Sequence, residues 1–175
     1  VGSTMATNFP ITGGVFQPAL AGSRDIYVSK FDPSGAILWS TYYGGTGLDL
    51  ALAVDVTTSG GVAVTGHVPS GFPVTAGAYQ VVYGGGLLDA FLFMLDASGN
   101  QLWSTYIGAS DKEEGYGVTS DGNFLYIAGD TYSADLNITT CPYQLTNGGD
   151  EEQFVGVFDF NGQNICMSYL GGSGH

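Results

Sequence analysis

Hydrophobic and polar residues alternate in short runs along this chain, and turn-forming residues separate the runs. Residues 25–31 (DIYVSKF) alternate, and residues 36–45, 50–61 and 62–68 continue the series with many β-branched and aromatic side chains. Such alternation predicts half-buried β-strands. The segment DPSG at residues 32–35 places Asp, Pro and Gly where a tight turn uses them. Because no segment has a helical period long enough to compete, the pattern predicts an all-β protein.

The strand pattern is also repeated. Asp25 and Asp89 lie 64 residues apart, as do Trp39 and Trp103, and Cys166 follows 63 residues after Trp103. Each unit reads as a four-stranded antiparallel meander followed by a connector. Four short strands per repeat are typical of β-propeller blades, which stack around an axis. A β-sandwich also has many short strands, but the fixed period argues against it.

The repeat divides residues 1–175, which we interpret as one repeat region, into four units. Residues 1–24 are the end of a preceding unit with its connector, residues 25–88 and 89–151 are each a blade with its connector, and residues 152–175 are a partial blade. The sequence therefore predicts an incomplete propeller of about two and a half blades. Since an open propeller exposes faces and edges, we expect either the remaining blades of a longer chain or copies associating head to tail, as a ring or a filament.

Two segments carry a resemblance to a known family. They are DAFLFMLDASGNQLWSTYIG at residues 89–108 and VAVTGHVPSGFPVTAGAYQ at residues 62–80. Both resemble the SBBP repeat, the seven-bladed β-propeller repeat of bacterial secreted and cell-surface proteins, and the resemblance covers nearly the whole chain. The third copy departs from it, because Cys166 and Met167 stand where the pattern has Trp and Ser. The resemblance implies a propeller scaffold without catalytic residues.

Composition and charge narrow the function classes. The chain has 29 glycines, 11% charged residues and a net charge of −13, with only Arg24, Lys30 and Lys112 positive. Nucleic-acid binding needs a basic surface, so we exclude it, and anionic membranes are disfavoured. No run of apolar residues is long enough for membrane insertion. Abundant Ser, Thr, Gly and Tyr with few Lys favour an extracellular or cell-surface protein, and the acidity serves either solubility or a divalent cation.

Aromatic residues recur at fixed positions and have two interpretations. Trp39, Trp103, Tyr42 and Tyr106 could stack on a ligand such as a sugar, or they could fill the space between adjacent blades, which their repeated position favours. Tyr169 is the third copy of the tyrosine position. We keep ligand stacking as a possible role of these residues.

Acidic residues offer candidate calcium ligands, although turn capping and solvation are the favoured interpretations. Asp32, Asp96 and Asp159 each begin a turn, where Asp commonly bonds to the backbone. The densest acidic stretches are DKEE at residues 111–114 and DEE at residues 150–152, and neither has the spacing of a calcium loop. We therefore expect no cofactor and leave calcium as the one open possibility.

Two cysteines, Cys141 and Cys166, permit one disulfide if the compartment is oxidising. Cys166 replaces a tryptophan, so a buried free thiol is the alternative. His67 and His175 have no Cys or His at metal-binding spacing, so no zinc site is predicted.

The expected function is structural. We interpret the chain as a scaffold, spacer, adhesive or filament-forming propeller segment. The alternative is a carbohydrate-binding propeller with shallow sites built from Trp and Tyr. An enzyme is not expected, because the sequence has no nucleophile paired with a base and no metal motif.

Overall fold

The computed structural model describes residues 1–139 and 143–173, and it confirms the all-β class. The described residues include no helix, so there is none with the length and hydropathy needed to cross a membrane. The eleven strands are β1 (Gly2–Thr4), β2 (Asp25–Phe31), β3 (Ile37–Tyr43), β4 (Leu50–Val56), β5 (Val62–Val68), β6 (Asp89–Leu95), β7 (Gln101–Ile107), β8 (Glu113–Ser120), β9 (Leu125–Thr131), β10 (Glu152–Phe158) and β11 (Asn164–Leu170).

The strands form three antiparallel sheets in which neighbours along the chain pair with each other. The first sheet contains β1, β2 and β3, the second contains β4 to β7, and the third contains β8 to β11. One apolar core lies between the first and second sheets, and another lies between the second and third. The three sheets are therefore stacked, with the second in the middle.

The grouping of strands corrects the predicted units. A sequence unit such as residues 25–68 was expected to form one meander, but β2 and β3 belong to the first sheet while β4 and β5 belong to the second. Each four-stranded sheet combines the last two strands of one unit with the first two of the next. The third sheet is therefore a complete four-stranded sheet, and β10 and β11 do not form half of a blade.

Burial of aromatic side chains explains this grouping. Tyr43 of β3 stacks on Phe93 of β6 with ring centroids 3.8 Å apart and ring planes 9° apart, so β3 and β6 must lie on facing sheets. The short glycine-rich link at residues 44–49 then crosses between the sheets, and Gly45 approaches the backbone at Gly71 so closely that a Cβ would lie 2.0 Å from its oxygen. The long connector instead joins β5 to β6 within one sheet, where Val68 pairs with Asp89.

The connectors cover the outer edge strands. In each sheet the connector bonds to the last strand, because Tyr42, Tyr106 and Tyr169 donate their backbone N–H to Gln17, Gln80 and Gln144. The Tyr106 hydroxyl also accepts a 2.8 Å bond from the Phe72 amide. Exposed edge strands invite unwanted pairing, and covering them is a common protection. Backbone bonds from the connectors therefore cover part of the outer edges at β3, β7 and β11.

Candidate functional site on the third sheet

The third sheet has one face that no other sheet covers. On β9 and β10 this face, which we call the open face, consists of the pairs Asp130–Gln153, Ala128–Val155 and Tyr126–Val157. Burial alternates along both strands, whereas every residue of β6 in the second sheet is buried. The face of the second sheet at the corresponding positions packs against the third sheet. The open face is thus the counterpart of a surface that is buried elsewhere in the molecule.

An apolar groove runs across the open face. It has a volume of about 470 Å³ and is lined by residues 117–119, 126–128 and 155–157. Ala128 and Val155 form its floor as directly paired residues, and Gly117, where an added Cβ would meet no residue beyond its chain neighbours within 4 Å, leaves room beside them. Tyr126 borders one end and is 37% exposed. A groove of this size and polarity is suited to an apolar or amphipathic partner.

Charged and aromatic side chains border the other end of the groove. Glu114 is central: its Oε2 lies 2.6 Å from the Lys112 ammonium and accepts a 2.7 Å bond from the Tyr116 hydroxyl. Its Oε1 lies 3.0 Å from Nδ1 of His67, within ion-pair range but without hydrogen-bond alignment. The polar cluster, as we call it, consists of His67, Lys112, Glu114, Tyr116, Asp130, Tyr132 and Gln153.

The electrostatics of the polar cluster balance burial against hydrogen bonding. Burial favours a higher pKa for Glu114, but bonds from Lys112 and Tyr116 outweigh it, so the pKa lies below its usual value. Burial lowers the pKa of His67, so this imidazole is neutral at neutral pH. Gln153 donates to Asp130, and the Lys112 ammonium lies 5.6 Å from the centre of the Tyr132 ring. Burial raises the pKa of Asp130 above its usual value, and the bond from Gln153 offsets this in part. The cluster therefore presents the Glu114 carboxylate, whose ionised form its hydrogen bonds favour, beside two tyrosines.

Among the described residues, the polar cluster occurs once, whereas the sheets otherwise repeat each other. Where Glu114 pairs with Asp130 in the third sheet, Leu50 pairs with His67 in the second. Likewise, Gln153 stands where the second sheet has Ala90. The cluster is therefore not part of the stacking contacts that the sheets repeat. For this reason the open face and its polar cluster are the candidate functional site.

The aromatic residues predicted for ligand stacking lie in the packed interior. Trp39 and Trp103 are each 6% exposed, and Tyr42 and Tyr106 are 1% and 3% exposed. The Trp39 Nε1 donates a 2.9 Å bond to the Ala97 carbonyl, so the indole N–H is already engaged in a hydrogen bond within the protein. The structure places these four side chains between sheets or under connectors, and it does not bring them to the open face. The exposed tyrosines Tyr116, Tyr126 and Tyr132 had no repeated signal and were missed.

The three turn aspartates cap their own turns. Oδ1 of Asp96 accepts backbone bonds from Ser98 at 2.8 Å and Asn100 at 2.9 Å. Asp32 and Asp159 accept the corresponding pairs of bonds in their turns. Across the residues that the structure describes, no three His, Cys, Asp or Glu side chains are grouped so as to hold a metal ion.

The acidic stretches are not simply solvated loops, which corrects the favoured interpretation. Glu113 begins β8 and is fully buried, Glu114 is partly buried in the polar cluster, and Glu152 begins β10 and is 3% exposed. Only Asp111, Asp150 and Glu151 are exposed. Each buried acid lies at the start of a strand, where backbone N–H groups of the preceding link or polar side chains of the preceding connector are available.

Sequence reasoning missed a glutamine that lies within each connector. The Gln80 amide donates to Val82 and Asp89 at 2.9 and 3.4 Å and accepts a 3.0 Å bond from the Gly108 amide. Gln17 and Gln144 make the same bonds, to Asp25 and Glu152 among others. The signal was present in the sequence, since each connector contains a Gln and an acid follows eight or nine residues later.

Two buried carboxyl groups, Asp49 just before β4 and Asp89 at the start of β6, have raised pKa values. Burial, opposed by the Gly45 amide and reinforced by Asp25, raises the pKa of Asp49 to about 6. Burial raises the pKa of Asp89 to about 7, and nearby Glu113 adds to the effect. One oxygen of each, Oδ1, is buried without a hydrogen-bond partner. These groups are positioned for structure, at the links between sheets, and lie away from the open face.

The predicted disulfide falls partly outside the described residues. Cys166 lies on β11 and does not carry a free thiol. Cys141 lies outside the described residues, as does His175, so the bridge stays a prediction.

Comparison with known proteins adds no identity. No family model matches the chain, and no curated protein matches it significantly.

Proposed function

We propose that this chain is a structural and interaction segment of β-propeller type, as the SBBP resemblance implies, in a secreted or cell-surface bacterial protein. The observation that carries the proposal is the open face. The same face of the first and second sheets is buried under the next sheet, whereas the third sheet presents it with an apolar groove of about 470 Å³. Surfaces of this kind mark interaction sites.

The arrangement of the sheets supports a propeller-type stack. The first strands of consecutive sheets lie against each other, β1 against β4 and β4 against β8, while β3, β7 and β11 lie at the opposite edges. Propeller blades have inner strands that converge and outer strands that diverge in the same way. The proposed partners are other sheets of this kind, in further blades or in a second copy of the chain. The proposed roles are scaffold, spacer, adhesive or filament-forming module, without catalysis.

A charge placed in the groove tests the interaction role. We expect the wild-type chain to associate as its concentration rises and to bind an apolar dye, because the groove is open. Val155→Asp places a carboxylate on the groove floor and should reduce both the association of the chain and its binding of the dye. The matched control is Val81→Asp, on an exposed connector position that is 47% accessible. A wild-type chain that sediments as a monomer and binds no more dye than Val155→Asp would contradict the proposal.

A second candidate function is carbohydrate binding at the polar cluster. The specific observation is that Tyr116 and Tyr132 are 49% and 38% exposed beside Glu114, Asp130 and Gln153. Exposed rings can stack on a sugar while carboxylate and amide groups bond to its hydroxyls. A glycan array tests this function, and Tyr132→Ala should lose any binding that Tyr143→Ala, an exposed control, retains. Equal binding by the two variants would exclude the cluster as the site.

A further inference from the structure

One contact joins consecutive sheets twice in this molecule. The Trp39 indole of the first sheet donates to the Ala97 carbonyl in the β6–β7 turn of the second, at 2.9 Å. The Trp103 indole of the second sheet donates to the Phe160 carbonyl in the β10–β11 turn of the third, also at 2.9 Å. The contact thus has a constant donor, a tryptophan on the last strand of a sheet, and a constant acceptor, the turn of the next sheet.

A glycine in each accepting turn lets the indole lie flat against it. A Cβ on Gly99 would lie 2.8 Å from ring carbons of Trp39, and a Cβ on Gly162 would lie 2.6 Å from a ring carbon of Trp103. Both glycines have positive φ, of 87° and 82°. The accepting site therefore consists of a carbonyl oxygen and a flat glycine surface, and a residue with a side chain at the glycine position would block it.

The first sheet has the same turn with its surface exposed. In the β2–β3 turn, residues 32–35, Gly35 has a φ of 87° and donates a 3.0 Å bond to the Asp32 carbonyl, as Gly99 does to Asp96 at 3.1 Å. Apart from Gly35 and its two chain neighbours, no described residue has an atom within 4 Å of the position that a Cβ on Gly35 would take. Phe31, beside the turn, is 56% exposed, whereas its counterpart Leu95 is fully buried.

We propose that the β2–β3 turn is a docking site for a tryptophan carried by the last strand of another sheet of this repeat type. This inference rests on the proposed interaction role, but it concerns the opposite end of the stack from the open face. Tryptophan is the side chain that combines a large flat apolar ring with an N–H donor, and the site offers a carbonyl beside a glycine. The exposed Phe31 would be covered by the same partner.

The partner is not a second copy of this chain in register. In a copy, Trp39 and Trp103 are buried in their own interfaces, and the third sheet has Cys166 at the corresponding position on β11. The fitting partner is a sheet that ends in a strand of the type LWSTY, with its tryptophan on the uncovered face.

Supplying the missing tryptophan in this chain gives a direct test. Cys166→Trp places an indole on the open face, and a second copy then offers its β2–β3 turn. Cys166→Ser is the matched control, since both changes remove the same cysteine. We expect Cys166→Trp to associate about tenfold more tightly than Cys166→Ser in sedimentation, which corresponds to one indole hydrogen bond and its packing. Adding Gly35→Asn, which tolerates positive φ but fills the site, should return association to the control level.

The outcomes separate this inference from the proposed function. Equal association of Cys166→Trp and Cys166→Ser, both folded, overturns the docking site even if the wild-type groove binds a partner. If Cys166→Trp does not fold, N-acetyl-tryptophanamide is titrated into the wild-type chain and followed by amide NMR. Shifts at Gly35 that are absent at the covered Gly99 and Gly162 support the site. No shift at Gly35 overturns it.

Discussion

The indole nitrogen of Trp39 donates a 2.9 Å hydrogen bond to the carbonyl oxygen of Ala97, which lies 58 residues later in the chain and in the next sheet. The equivalent bond from Trp103 to Phe160 spans 57 residues. Each bond ties the last strand of one sheet to a turn of the following sheet. The tryptophans therefore hold the stack together from within, which accounts for their burial.

Replacing one of these indoles should weaken the whole stack. Trp103→Phe keeps an aromatic ring but removes the donor to the Phe160 carbonyl and part of the apolar contact. We expect the free energy of unfolding to fall by about 1–3 kcal/mol. Urea unfolding measures it, with Tyr143→Phe as an exposed control. A loss for Trp103→Phe no larger than for the control would show that the indole bond does not stabilise the stack.

Two glycines with the same backbone angle provide a matched comparison. Gly99→Ala and Gly35→Ala both place a side chain at a φ of 87°, which costs about 1–2 kcal/mol of backbone strain. Only Gly99→Ala also pushes a Cβ into the Trp39 ring. We expect it to be less stable than Gly35→Ala by a further 1–3 kcal/mol or so, as for overpacked cores. Thermal and urea unfolding of the two variants measure this difference. Equal losses of unfolding free energy would contradict the contact between Trp39 and Gly99.

The buried Asp89 predicts an unusual dependence of stability on pH. Burial raises its pKa to about 7, so the folded state holds a proton that the unfolded state releases near pH 4. Stability from this group is therefore present at low pH and is lost as pH rises from about 4 to about 7. Asp89→Asn stays neutral in both states and should flatten the decline.

Urea unfolding at a series of pH values between about 4 and 8, the range in which Asp89 is expected to titrate, measures how the free energy of unfolding changes with pH. Val81→Asn, a change at an exposed connector position that removes no titratable group, should keep the wild-type slope. A slope for Asp89→Asn that equals the wild-type slope would mean that Asp89 is already ionised in the folded protein over this range.

The connector glutamines should stabilise the fold through the hydrogen bonds of their amide groups. Gln80→Met keeps the length of the side chain but removes the acceptor for the Gly108 amide and the donor to Asp89. Leaving these groups unpaired should cost about 2 kcal/mol and expose the Gly108 amide to faster hydrogen exchange. Gln163→Met, at an exposed position of a turn, is the control. Unchanged exchange at Gly108 would contradict the role of Gln80.

The sequence by itself determined the strands and the turns. Residues 25–31 were predicted as a strand and form β2 with the same bounds, and the predicted turn at residues 32–35 is closed by the Asp32 carboxylate. These features are local: side-chain alternation follows from the pleat of a single strand, and a turn needs only a few residues. The 64-residue period is equally visible, because repeated strands repeat their residues.

Only the tertiary structure decided which strands share a sheet. The short link at residues 44–49 joins β3 of the first sheet to β4 of the second. The long connector at residues 69–88 instead joins β5 to β6, which pair with each other in the same sheet. Link length did not reveal this, since the choice depends on burying Tyr43 against Phe93, a contact between residues 50 positions apart in the chain. The polar cluster likewise joins residues of the second and third sheets. Alternation along one strand tells which residues share a face, but the partner of that face is set by long-range packing.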